Sequence, residues 1–118
     1  MGSGLCVLLL CYSEKPGQVI GVSKSNVTAR TALVTWTRYS PGEDETPITR
    51  ITVQYQNSAS PYHLVILTGS SSSKELTNLK PFSKYNVTVK ASSVLGDGLW
   101  STTLTFETLT ASKFIIQP

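Results

Sequence analysis

Residues 76–91, Leu-Thr-Asn-Leu-Lys-Pro-Phe-Ser-Lys-Tyr-Asn-Val-Thr-Val-Lys-Ala, lead from a proline-restricted turn into a strand whose Tyr85, Val87, Val89 and Ala91 share one face. An apolar strand face needs a second layer over it, which constrains the chain to two packed sheets. Tyr85 stands at the head of that strand. With its ring buried and its hydroxyl bonded to backbone near the preceding turn, it would fasten the loop between sheets as a tyrosine corner. A catalytic phenol would need a base or cation fixed beside it, and the sequence supplies none.

The same two-residue alternation recurs along the chain between turn residues. A first strand is expected over 19–28, broken near 23–25. Next, Ala32, Val34 and Trp36 alternate with Leu33, Thr35 and Thr37, and Ser40-Pro41-Gly42 ends the run, so Trp36 is expected at the centre of the core. After Pro47, Ile51, Val53 and Tyr55 face one way while Arg50, Thr52 and Gln54 face the other. A polar break at 56–61 leads to a strand over 62–67, then to Gly69 and four serines in a tight connection. Leu76 and Leu79 flank a short crossing into Pro81. A last strand is expected over 102–108, with Leu104 and Phe106 on one face. The predicted core and structural residues are therefore Trp36, Ile51, Val53, Leu76, Leu79, Pro81, Tyr85, Val87 and Val89.

At 118 residues the chain is long enough for one independent core and too short for two full domains. Ten basic residues against seven acidic give a net charge of +3, but the bases are scattered and the acidic triplet Glu43, Asp44, Glu45 interrupts any basic stripe. A nucleic-acid groove is not expected. His63, the one histidine, has no companion for catalysis or metal binding, and neither a nucleotide cradle nor a pair of catalytic carboxylates is present. The reading is therefore of a non-enzyme without cofactor or metal.

The amino end carries an apolar run, Leu5-Cys6-Val7-Leu8-Leu9-Leu10-Cys11-Tyr12, whose eight residues are too few to span a bilayer. It reads as a weak or clipped secretion signal, an intron-read leader, or a first strand packed on the domain. Cys6 and Cys11 are the only cysteines, so no cysteine pair can join the two sheets. A local bridge requires the chain to turn between them, and two free or processed thiols are expected.

Ala32-Leu33-Val34-Thr35-Trp36, the run from Pro47 to Tyr55, and above all Leu79-Lys80-Pro81-Phe82-Ser83-Lys84-Tyr85 give the chain a definite resemblance. From about Pro16 to Leu109 it resembles a fibronectin type III domain, and Gly96-Asp97-Gly98-Leu99-Trp100-Ser101 is similar to the closing loop of such domains in neural adhesion molecules and receptor tyrosine phosphatases. The resemblance implies an all-β, seven-stranded, two-sheet Greek-key sandwich of immunoglobulin-like form, with Trp36 and Tyr85 as its two core aromatics and Ile51 where a tyrosine is often found. The expected organisation is a leader over 1–15, the domain over 16–109 and a linker or edge extension over 110–118. The implied function is an extracellular protein-interaction or spacer module of an adhesion molecule or receptor. The alternative is a structural module of an intracellular muscle or cytoskeletal protein.

Partners would be a protein ectodomain or neighbouring domains of the same chain, without nucleic acid and without membrane insertion by the folded domain. The loop at 94–99 lacks Arg-Gly-Asp, so integrin binding by that motif is not expected. Candidate protein-contact residues are Glu43, Asp44, Glu45, Leu95, Asp97 and Trp100, with Tyr62 and His63 beginning a flatter surface. Trp100 either covers the sandwich rim beside Phe106 or anchors a partner. Gly96 and Gly98 are expected to permit tight turns. Asn26-Val27-Thr28 and Asn86-Val87-Thr88 fit the acceptor rule for asparagine glycosylation, and Asn86 points away from the core.

Overall fold

A computed structural model describes residues 5–7, 10–12, 14–37, 39, 47–58 and 61–111. Its ten strands are β1 (Leu5–Val7), β2 (Leu10–Tyr12), β3 (Ser23–Ser25), β4 (Ala32–Thr35), β5 (Arg50–Asn57), β6 (His63–Thr68), β7 (Ser73–Leu76), β8 (Lys84–Ser93), β9 (Gly96–Asp97) and β10 (Leu104–Glu107). One sheet runs β10-β8-β5-β6, with β9 also on β8; the facing sheet runs β3-β4-β7. All pairings are antiparallel. Seven strands thus build the expected sandwich, and the two-residue β9 is an addition.

The alternation read in the sequence sets which face each strand buries. Opposed pairs Val53 with Val89 and Ile51 with Ala91 stack along β5 and β8, while Ala32 and Val34 close from β4; all six are fully buried. Trp36, just past β4, is buried and donates its indole N–H to the Ser71 carbonyl at 3.0 Å. That bond satisfies the one polar atom a buried indole brings with it. Leu76 and Leu79 are buried as expected, whereas Pro81 is only partly covered. Pro81 instead shapes the turn, and its carbonyl accepts the Ser83 hydroxyl at 2.8 Å.

Tyr85 performs the fastening role. Its ring stacks on Phe106 with centroids 5.9 Å apart, and its hydroxyl accepts the Lys80 backbone N–H at 2.8 Å and the Asn57 side-chain amide at 3.2 Å. The buried Asn57 bond ties the end of β5 into the same knot. Thr108 completes the turn by accepting Ser83 N–H at 2.9 Å and donating to the Lys80 carbonyl at 2.6 Å.

Several expectations are corrected. The long first strand is confined to β3, at the very residues where a break is expected, because Gly21 (φ 73°) and Asn26 (φ 48°) adopt left-handed backbone conformations on either side and stop the ladder there. Val19 is nonetheless buried. The strand expected over 62–67 is β6, one residue later, and the last strand is shortened to β10. At the amino end β1 and β2 pair with each other, placing Cys6 directly opposite Cys11. The antiparallel pairing of β1 with β2 meets the condition a local bridge needs. The carboxy-terminal residues 112–118 lie outside the described residues.

Replacing Tyr85 with Phe keeps the ring contacts but leaves the Lys80 N–H and the Asn57 amide short of an acceptor. The expected cost is about 1–2 kcal/mol, read as a lower urea midpoint with an unchanged m-value.

Candidate protein-contact face

The outer face of the β10-β8-β5-β6 sheet is not covered by the second sheet. Arg50, Thr52 and Gln54 from β5, Leu64 and Ile66 from β6, and Lys90 from β8 point to this side because their neighbours in sequence point into the core. With Tyr62 and Trp100 they line a shallow groove of about 310 Å³. Tyr62, Leu64 and Ile66 are each more than half exposed. Clustered apolar exposure of this kind marks an interaction surface more often than scattered single residues do.

Asp97 and Trp100 come together through Lys90. The Lys90 ammonium donates to Asp97 Oδ2 at 2.8 Å and lies 4.5 Å from the centre of the Trp100 ring, a cation–π arrangement. Asp97 Oδ1 also accepts the Ser92 hydroxyl at 2.6 Å and faces the Arg50 guanidinium at 3.4 Å. These hydrogen bonds, from Lys90 first and Ser92 second, hold the Asp97 carboxyl below its ordinary range, with the charges of Lys90 and Arg50 adding to the effect.

The backbone around the indole is held on several sides. Gly98 N–H bonds the Ala91 carbonyl at 2.8 Å, Ser101 N–H bonds the Val89 carbonyl at 2.8 Å, and the Gln18 side chain donates to the Trp100 carbonyl at 2.9 Å. Glycine is required at two positions of this return. Gly96 has φ 136°, and a side-chain carbon at Gly98 would come within 2.6 Å of the Pro16 carbonyl oxygen.

Of the residues singled out in the sequence, Asp97 and Trp100 meet on this face. Leu95 sits half-buried in the turn between β8 and β9, and Glu43, Asp44 and Glu45 lie outside the described residues. Trp100 does not cover a rim beside Phe106: Phe106 is buried between the sheets against Tyr85, whereas Trp100 packs with Lys90 on the outer face. Tyr62 does begin a surface patch. His63 points to the other side of β6, with its ring 5.1 Å from that of Tyr55. Burial, and secondarily the neighbouring Tyr85, push the Tyr55 phenol up from its ordinary range.

Sequence reading missed Arg50, Lys90, Leu64 and Ile66 as members of one face. Alternation supplied the orientation of Arg50, but not the strand order that sets it beside Lys90. A second exposed apolar pair, Phe82 (φ 48°) and Leu109, flanks a groove of about 450 Å³ at the opposite pole, beside the point where the described chain ends.

Both asparagine acceptors are exposed. Asn86 lies on the outer face, where its Oδ1 accepts the Thr105 hydroxyl at 2.7 Å; a glycan would attach through the other amide atom, Nδ2. Among the described residues there is no group of three or more His, Cys, Asp or Glu side chains that could hold a metal, and no helix long and apolar enough to cross a membrane.

The sequence profile of the fibronectin type III domain matches residues 15–107. No curated protein sequence matches significantly. Among solved structures, the FN1-FN3 domains of chicken CNTN1 superpose with a TM-score of 0.72 at 20% identity, over 85% of this chain and 35% of that one. The third fibronectin III domain of human KIAA0343 protein gives 0.74 at 21% identity, over 82% and 86%. A set of titin domains gives 0.68 at 22% identity, over 80% and 32%. The chain thus spans about a third of the CNTN1 and titin fragments, and at these identities the likeness is one of fold. The fold serves adhesion proteins and muscle proteins alike.

Asp97 gives this face a pH dependence. A depressed folded-state pKa contributes stability that is complete above the unfolded value near 3.8 and is lost as pH falls through the lower folded value. Asp97→Asn is therefore expected to remove that acid-side loss, so that the unfolding free energies of the two proteins, read from urea titrations, converge as pH drops below about 4 and differ by less than about 1 kcal/mol at neutral pH.

Proposed function

Because the chain belongs to the fibronectin type III domain family, a family of non-catalytic modules, we propose that it is an extracellular protein-contact module of an adhesion molecule or cell-surface receptor. In this reading the domain occupies 16–109, with an apolar leader or signal-like segment over 1–15 and a linker or edge extension over 110–118. The observation that carries this reading is the outer-face groove, where the half-buried Trp100 is held over Lys90 beside the exposed Tyr62, Leu64 and Ile66. A pre-positioned aromatic within an apolar patch, rimmed by Arg50 and Asp97, has the anatomy of a protein hot spot. The ligand class that suits it is a folded ectodomain presenting an apolar knob with mixed charge around it.

Two further observations favour a secreted setting over an intracellular one. Asn26 and Asn86 are exposed acceptor sites, and Asn86 Nδ2 lies on a face that could carry a glycan without disturbing the core. The spacer version of the reading draws instead on Phe82 and Leu109, which lie where the described chain leaves the sandwich and suit contact with an adjoining domain.

Cross-linking on native cells separates contact from spacing. Trp100→Ala is expected to abolish capture of the partner ectodomain while the protein stays folded; undiminished capture removes the groove from the reading. Protein from a secretory cell is expected to lose mass on glycosidase treatment, with Asn86→Gln removing most of the shift. Uniformly unmodified Asn26 and Asn86 would favour the intracellular alternative.

A further inference from the structure

The sandwich presents four described sheet edges, and three of them are protected. β3, β7 and β10 are three or four residues long and each carries charge: Lys24 on β3, Lys74 and Glu75 on β7, Glu107 on β10. The fourth edge differs. β6 has six residues, His-Leu-Val-Ile-Leu-Thr, with no Asp, Glu, Lys, Arg, Pro or Gly, and among the described residues it pairs with β5 along one side only. An unpaired strand edge is a template for another strand, which is why short length, charge and proline are the usual protections. Two of its outward side chains are also apolar and solvent-facing: Leu64 is 54% exposed and Ile66 58%.

We propose that β6 is a self-association edge that pairs antiparallel with β6 of a second copy of this chain, joining the two outer sheets into one. Directly opposed residues of an antiparallel pair share a face, so a two-fold register must match outward residues with outward residues. Centred on Val65, that register sets Leu64 against the partner's Ile66 and His63 against the partner's Leu67. The outward pair is apolar on both sides. No opposed pair within the strand brings like charges together, a condition that self-pairing demands of a chain with net charge +3. Selection of a foreign strand by charge would find nothing on β6 to read, whereas the strand matches itself.

The inference deepens the contact-face reading, since Leu64 and Ile66 also line the groove, and it names a second copy as the partner at its edge. Sedimentation equilibrium of the full chain over a wide concentration series, with reductant present so that Cys6 and Cys11 cannot join copies, is expected to show a reversible monomer–dimer equilibrium. The double variant L64K/I66K sets lysines against lysines at exposed positions and is expected to weaken the dimer by about tenfold or more, while its urea midpoint matches that of the parent chain at concentrations too low for the dimer to form. Backbone amides of β6 are expected to exchange more slowly with solvent in the dimer. A chain that stays monomeric throughout, a dimer indifferent to L64K/I66K, or protection confined to other strands would overturn the proposal. Trp100→Ala separates the two readings: it is expected to keep the dimer while losing the ectodomain, and a dimer lost with Trp100 would place self-association in the groove and away from the edge.

Discussion

One phenol fixes how the chain crosses from one sheet to the other. The ring of Tyr85 occupies the dry space between the sheets against Phe106, while its oxygen accepts the backbone of Lys80 and the side chain of Asn57. Three parts of the chain meet at that atom: the turn before β8, β8 itself and the end of β5. In the absence of a cysteine pair between the sheets, this knot and the adjoining Thr108 bonds fix how the turn crosses from one sheet to the other. Apolar burial supplies the larger share of cohesion. It is non-directional, however, and the directional bonds select one crossing geometry.

Once β5 and β8 are set in register by that core, their outward residues are set too. Arg50, Lys90 and Asp97 converge because their strands are neighbours, and the return segment after β9 lays Trp100 over Lys90. The face is therefore a by-product of packing on its reverse side. Its polar contacts hold an aromatic side chain ready without burying it, which lowers the ordering cost of engaging a partner.

Much of this was legible in the chain because strand alternation reports burial directly. Trp36, Ile51, Val53, Tyr85, Val87 and Val89 are where the two-residue period and the turn chemistry put them. The first strand is shorter than its apolar and β-branched residues imply, and it lies at Ser23–Ser25, where a break is expected from the run of polar residues. The left-handed backbone at Gly21 and Asn26 stops the ladder without interrupting the apolar period. The groove was harder to foresee for a related reason. Period alone says that Arg50 and Lys90 face outward, but their meeting at Asp97 follows from strand order, with pairing partners 28 to 42 residues apart in sequence. Trp100 was ambiguous because it follows β9 in a segment with no regular period of its own.

The position of Asn86 has a consequence for this outer surface. It lies four residues from Lys90 along β8, roughly 13 Å at strand rise, and β6 is two strands away, roughly 10 Å across the sheet. A branched oligosaccharide rooted there would sweep over that distance. Molecules identical in sequence would then divide into a shaded population and a bare one, and the cell's glycosylation capacity would set how much of the protein can dock.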